Sequence, residues 1–129
     1  GAARINDAVI EYIRYIIENE NKVQILFGTG SRNYDEIVKR FKEENINLKS
    51  ILFYPVLSKE YITKKKKIDK NNYENTLIII GNNDEYYEEM KQITNNIVEI
   101  PNMKHGFLKE ENQTVKKLYQ EAITKFLEE

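Results

Sequence analysis

Thr76-Leu77-Ile78-Ile79-Ile80-Gly81-Asn82-Asn83-Asp84 is the stretch on which the fold turns. Its first five residues are apolar or β-branched without a break, and a glycine, two asparagines and an aspartate then stop the run. A short segment with no polar face reads as a strand covered on both sides, which is the habit of parallel sheets with helices above and below. Three weaker copies of the pattern flank it: Val23 to Phe27, ended by Gly28; Ser50 to Tyr54, ended by Pro55; and Ile97 to Ile100, ended by Pro101. Each is followed by residues that turn the chain.

The intervening stretches change to helical spacing. Ile5, Val9, Tyr12, Ile13, Ile16 and Ile17 mark one apolar face between about Ile5 and Asn19. Ile37, Val38 and Phe41 mark a second helix over about Tyr34 to Glu44, with Asn33 or Asp35 placed to cap it. Tyr86, Tyr87, Met90 and Ile93 predict a helix from about Glu85 to Ile93, and Val115, Leu118, Tyr119, Ala122, Ile123, Phe126 and Leu127 a long C-terminal one. Ser58 to Asn75 has no clear period and reads as a short helix or surface excursion. Strict alternation of strand and helix predicts right-handed crossovers, and so one three-layer α/β/α domain over residues 1–129 with a four-stranded, mostly parallel sheet.

Composition narrows the function. The 20 basic and 21 acidic residues nearly cancel, which gives no global reason to expect nucleic acid. The absence of cysteine excludes disulfides and thiolate metal sites, and fits a reducing, cytoplasmic location. No apolar run approaches the ~20 residues of a membrane span. With a single histidine, no converging metal ligands are visible, and neither a metal nor a cofactor is expected. The expected partner is a small molecule, alongside a second copy of the chain or a missing N-terminal half.

In a parallel sheet, ligands sit outside the carboxyl ends of the strands. That selects residues 28–33, 55–58, 81–86 and 101–107. His105 follows the last strand and precedes Gly106; imidazole is the side chain suited to proton transfer near neutral pH. Asp84 ends the loop before it, placed to orient an imidazole or to cap the next helix. Ser31 lies in Gly28-Thr29-Gly30-Ser31-Arg32-Asn33, a turn from strand to helix. Its hydroxyl could serve as a nucleophile, with backbone N–H groups around Gly30 to Arg32 facing an oxyanion. The same turn, Gly28 to Ser31, could instead hold a phosphate at the helix N-terminus. Tyr54 and Tyr61 lie near this edge as possible pocket walls. The basic run Lys64 to Lys67 reads as a solvated surface segment.

Ser31, Asp84 and His105 follow successive strands in the order used by the α/β-hydrolases, and the strand-Gly-x-x-Asp loop, the histidine segment and the closing helix resemble the second half of that family. The resemblance implies ester or acyl hydrolysis, with Ser31 attacking, His105 taking its proton and Asp84 orienting the ring. The turn at Thr29-Gly30-Ser31-Arg32-Asn33 departs from the family's G-x-S-x-G, so that Thr29, Gly30 or Ser31 could occupy the nucleophile position, with Ser31 favoured. The alternative is a non-catalytic Rossmann-like domain that binds a nucleotide or other phosphate-bearing molecule at Gly28 to Ser31.

Overall fold

The computed structural model describes residues 23–58, 68–110 and 113–129. The helix expected over Ile5 to Asn19, Tyr61 and the run Lys64 to Lys67 lie outside the described residues. Four strands, β1 (Val23–Phe27), β2 (Lys49–Phe53), β3 (Thr76–Gly81) and β4 (Ile97–Ile100), pair in chain order 1-2-3-4, and all three pairings are parallel. The connections carry helices α1 (Ser31–Glu43), α2 (Tyr87–Lys91) and α3 (Gln113–Glu128), with short 3-10 turns at Lys70–Tyr73 and Phe107–Glu110.

Strand side chains alternate between two helical layers, which is why these strands are apolar on both faces. Ile51, Phe53, Leu77, Ile79 and Ile100 pack against Val115, Tyr119, Ile123 and Phe126 of α3. Leu52, Ile78 and Ile80 face the other way, against Tyr34 of α1, Tyr73 and Met90 of α2. Ile51, Ile78, Ile79, Ile80 and Ile100 are fully buried, each stabilising the fold by about 1.5–3 kcal/mol. The result is a three-layer α/β fold of Rossmann-like form, as the alternation predicts.

Several boundaries move. α1 starts at Ser31, three residues earlier than its apolar face suggests, so its N-cap is Gly30 and neither Asn33 nor Asp35. The helix after β3 shrinks to Tyr87–Lys91, because Asp84 to Tyr86 are used in a turn. β2 ends at Phe53, and Tyr54 leaves the strand with φ 39°. At the amino end of the same strand, Lys49 Nζ donates to the carbonyls of Phe126 (2.6 Å) and Glu129 (2.7 Å), a cation at the end of a helix whose last carbonyls lack helical partners. A cavity of about 150 Å³ opens at this amino-terminal end, between α1 and residues 71–76. No helix among the described residues is long and apolar enough to cross a membrane.

Candidate functional site

The carboxyl edge is assembled from loops that are bonded to one another. After β1, Gly28 turns with φ 59° and its N–H donates to the Phe53 carbonyl (3.0 Å). Val56 N–H then donates to Thr29 O (3.0 Å), and Ser31 N–H to Val56 O (2.9 Å), so the loops after β1 and β2 continue the parallel ladder past the strands. A reciprocal clasp closes the pair. Ser58 N–H donates to Ser31 Oγ (2.8 Å), and Arg32 N–H donates to Ser58 Oγ (2.7 Å). The second bond caps α1 from outside the helix, because Gly30 has no side chain to do so.

The loops after β3 and β4 are joined as tightly. Asn82 N–H donates to Ile100 O (3.1 Å), Asn83 N–H to Met103 O (2.9 Å), and Asn102 N–H to Asn82 Oδ1 (2.8 Å). Gly81 makes this approach possible: a Cβ there would lie 2.0 Å from the Met103 carbonyl oxygen. Gly106 lets the chain turn away behind His105 with φ 73°.

Asp84 is not the N-cap of α2, which is Tyr86, but both of its carboxylate oxygens are bonded. One carboxylate oxygen accepts from Tyr86 N–H (2.9 Å), which holds the turn into α2, and the other lies 2.8 Å from His105 Nδ1. The Asp84 side chain is fully buried, whereas the His105 side chain is 40% exposed. A carboxylate can only accept, so His105 carries its proton on Nδ1 and leaves Nε2 for a ligand or solvent. Tyr54 and Tyr86 meet the imidazole edge-on, with ring centroids at 5.1 and 6.3 Å. His105 follows β4, yet it touches Tyr54 after β2, so its ring reaches back across the end of β3. Burial pushes the Tyr54 phenol above its ordinary range, and burial, reinforced by Glu85, does the same for Tyr86.

Of the residues singled out by sequence, the structure joins Asp84 and His105. Ser31 is 1% exposed, its hydroxyl is taken by Ser58, and no hydrogen bond connects it with His105 among the described residues. Gly28, Thr29, Gly30 and Arg32 stand together on the neighbouring turn. The sequence placed Ser58 in the strand-end segment 55–58 without giving it a role, since its clasp forms only when two loops 26 residues apart meet, and it saw in Tyr54 no more than a possible pocket wall.

No protein-family model matches the chain, and no solved structure does. Two curated enzymes match part of it. A UDP-N-acetylglucosamine–N-acetylmuramyl-(pentapeptide) pyrophosphoryl-undecaprenol N-acetylglucosamine transferase of Halothermothrix orenii is 37% identical over 57 residues, which is 44% of this chain and 15% of that enzyme. The enzyme of the same name from Caldanaerobacter subterraneus subsp. tengcongensis is 38% identical over 48 residues, 37% of this chain and 12% of that enzyme. These relatives are glycosyltransferases, and they overturn the α/β-hydrolase expectation and the esterase activity drawn from it. The physical reason is that the order Ser, Asp, His is a weak signal. Any parallel sheet gathers the residues that follow its strands at one edge, whatever their chemistry, and here the serine hydroxyl is spent on its neighbouring loop.

Proposed function

We propose that this domain binds a nucleotide or another phosphate-bearing small molecule at the carboxyl edge of its sheet, with the phosphate against the Gly28–Ser31 turn. The observation that carries this reading is the convergence of that turn, Ser58 and the Asp84–His105 pair on one edge. α1 begins there with a glycine N-cap, no side-chain cap of its own and no acidic residue in its first turn. The positive end of a helix dipole therefore faces the turn without a carboxylate to neutralise it. Arg32, paired with Glu36 at 3.9 Å on the exposed side of the helix, adds a cation in that first turn, and His105 presents Nε2 from the far side. In this reading the serine is architectural: it fixes the loop whose Ser58 hydroxyl borders the ligand. The partial relatives are named for UDP-N-acetylglucosamine, which makes it and UDP the first compounds to try. Cytoplasmic nucleotides and sugar phosphates are the class of ligand in view, so the proposed place of work is the cytoplasm.

Thermal unfolding with UDP, UDP-N-acetylglucosamine, ADP, glucose 1-phosphate and inorganic phosphate tests the proposal. A ligand at a hundredfold excess over its Kd stabilises by about 2.7 kcal/mol, several degrees in Tm for a domain of this size. Gly30→Asp provides the control. Gly30 has φ -72° and ψ 148°, open to any residue, and an added Cβ meets Ser58 Oγ at 3.2 Å. An aspartate there caps the helix but repels a phosphate. The expected result is a folded variant whose Tm no longer responds to ligand. A wild-type protein unmoved by the whole panel, or a variant that responds as the wild type does, overturns the proposal.

A further inference from the structure

We propose that Tyr54 is a ligand-contacting residue, its hydroxyl donating a hydrogen bond to an oxygen of the phosphate-bearing molecule held at the Gly28–Ser31 turn; this rests on the binding reading above. Tyr54 stands between the two halves of the edge. Its neighbours Phe53 and Val56 bond the turn after β1, while its own N–H donates to the Ile79 carbonyl of β3 at 2.8 Å. Its ring packs against Phe27, Phe107 and His105, with centroids 6.4, 5.7 and 5.1 Å away.

Two independent features set this tyrosine apart. The first is its hydroxyl. Tyr54 is 3% exposed, yet its hydroxyl has no hydrogen-bond partner among the described residues. No buried side-chain nitrogen or oxygen lacks a partner there either, so the oxygen itself is not sealed inside. The ring is packed into the core and only its polar tip is left open. Tyr34, buried to the same degree on the opposite face, is the contrast: its hydroxyl is bonded to Thr76 Oγ1. A buried tyrosine ordinarily finds such a partner within the protein.

The second feature is the backbone. Among the described residues, the non-glycine ones with positive φ are Asn45, Asn102 and Tyr54. Asparagine tolerates that region through its short polar side chain, whereas a bulky aromatic residue does not, and the conformation costs about 1–3 kcal/mol. The aromatic contacts hold Tyr54 in this conformation, which swings its ring out of the strand's alternation and toward His105. A phenol kept protonated by its burial is a donor only to what approaches it, and a phosphate or sugar oxygen is such an acceptor.

Tyr54→Phe keeps the ring and removes the hydroxyl alone. Since no hydrogen bond among the described residues is lost, the ligand-free variant is expected to melt within about 1 °C of the wild type. Binding of UDP, measured by calorimetry on both proteins, is expected to weaken by roughly tenfold or more, the loss of one hydrogen bond to a charged acceptor. Equal UDP affinity in the two proteins overturns the role of Tyr54 and leaves the binding proposal standing. A lower Tm for ligand-free Tyr54→Phe shows an internal partner for the hydroxyl and also overturns it. A wild type unmoved by the whole panel removes both proposals together, and one that binds another member of the panel but not UDP moves the same comparison to that compound.

Discussion

The loop after β1 and the loop after β3 leave neighbouring parts of one parallel sheet, each through a glycine, and each runs into a helix within a few residues. In the first loop the polar side chain turns inward: Ser31 is buried and held by Ser58, and the N–H groups of Gly28, Ser31 and Arg32 are bonded to β2 and the loop after it. In the second loop the buried group, Asp84, passes its effect outward through His105, whose ring is 40% exposed. The same topology therefore yields one loop whose hydroxyl is spent within the protein and one that presents an oriented imidazole. What separates them is the segment each packs against. Ser58 closes over Ser31, whereas Met103 bonds the second loop through its carbonyl and His105 folds back over Asp84.

The largest effect is expected from filling the contact under the second loop. Gly81→Ala places a methyl group 2.0 Å from a backbone oxygen that cannot yield as a side-chain end does. A loss of about 3 kcal/mol in urea unfolding is expected, with displacement of the His105 ring resonances in NMR. Retention of both stability and the His105 signals would show that the two loops are not locked at Met103.

Ser31→Ala probes the first loop and should cost less, about 1–3 kcal/mol, because the Ser58 N–H is left without its acceptor. Urea unfolding measures it. An unchanged midpoint would mean that the clasp contributes nothing and that the serine is available for another purpose.

The smallest effect concerns the outer brace of the second loop, where Glu99 of β4 accepts from the Tyr87 hydroxyl and from Asn82 Nδ2 (3.4 Å). The hydrogen bond to Glu99 is the main reason that the Tyr87 phenol is pushed up from 10.0 to about 12. An acid whose folded pKa is raised contributes stability below its unfolded value; the contribution fades as pH rises from about 10 toward 12. Both groups are at the surface, so a small effect on stability is expected. Glu99→Gln should bring the phenol back toward 10.0, read by tyrosine absorbance during an alkaline titration. An unmoved phenol would remove the carboxylate as its cause.

The fold was legible because hydrophobic periodicity is a local signal. An unbroken Leu77 to Ile80 run needs cover on both faces, and α3 announces its single apolar face from Val115 to Leu127. The site was legible only in its location. His105 and Asp84 were marked by standing after strands, and the sheet brings them together. Ser31 carried the same mark, but whether its hydroxyl faced a ligand or a neighbouring loop depended on Ser58, 27 residues away. The hydrolase resemblance failed at that step, since the order of residues along an edge is common to parallel sheets while the direction of a side chain is not.

By itself, then, the sequence determined four strands, their alternation with helices and the edge on which polar residues gather, because these follow from short-range patterns of burial. The tertiary structure alone decided which polar groups remain available there. Burial of Ser31, the two hydrogen bonds of Asp84, and the strained turn that leaves Tyr54 with an open hydroxyl arise from contacts between loops that meet only once the sheet has formed.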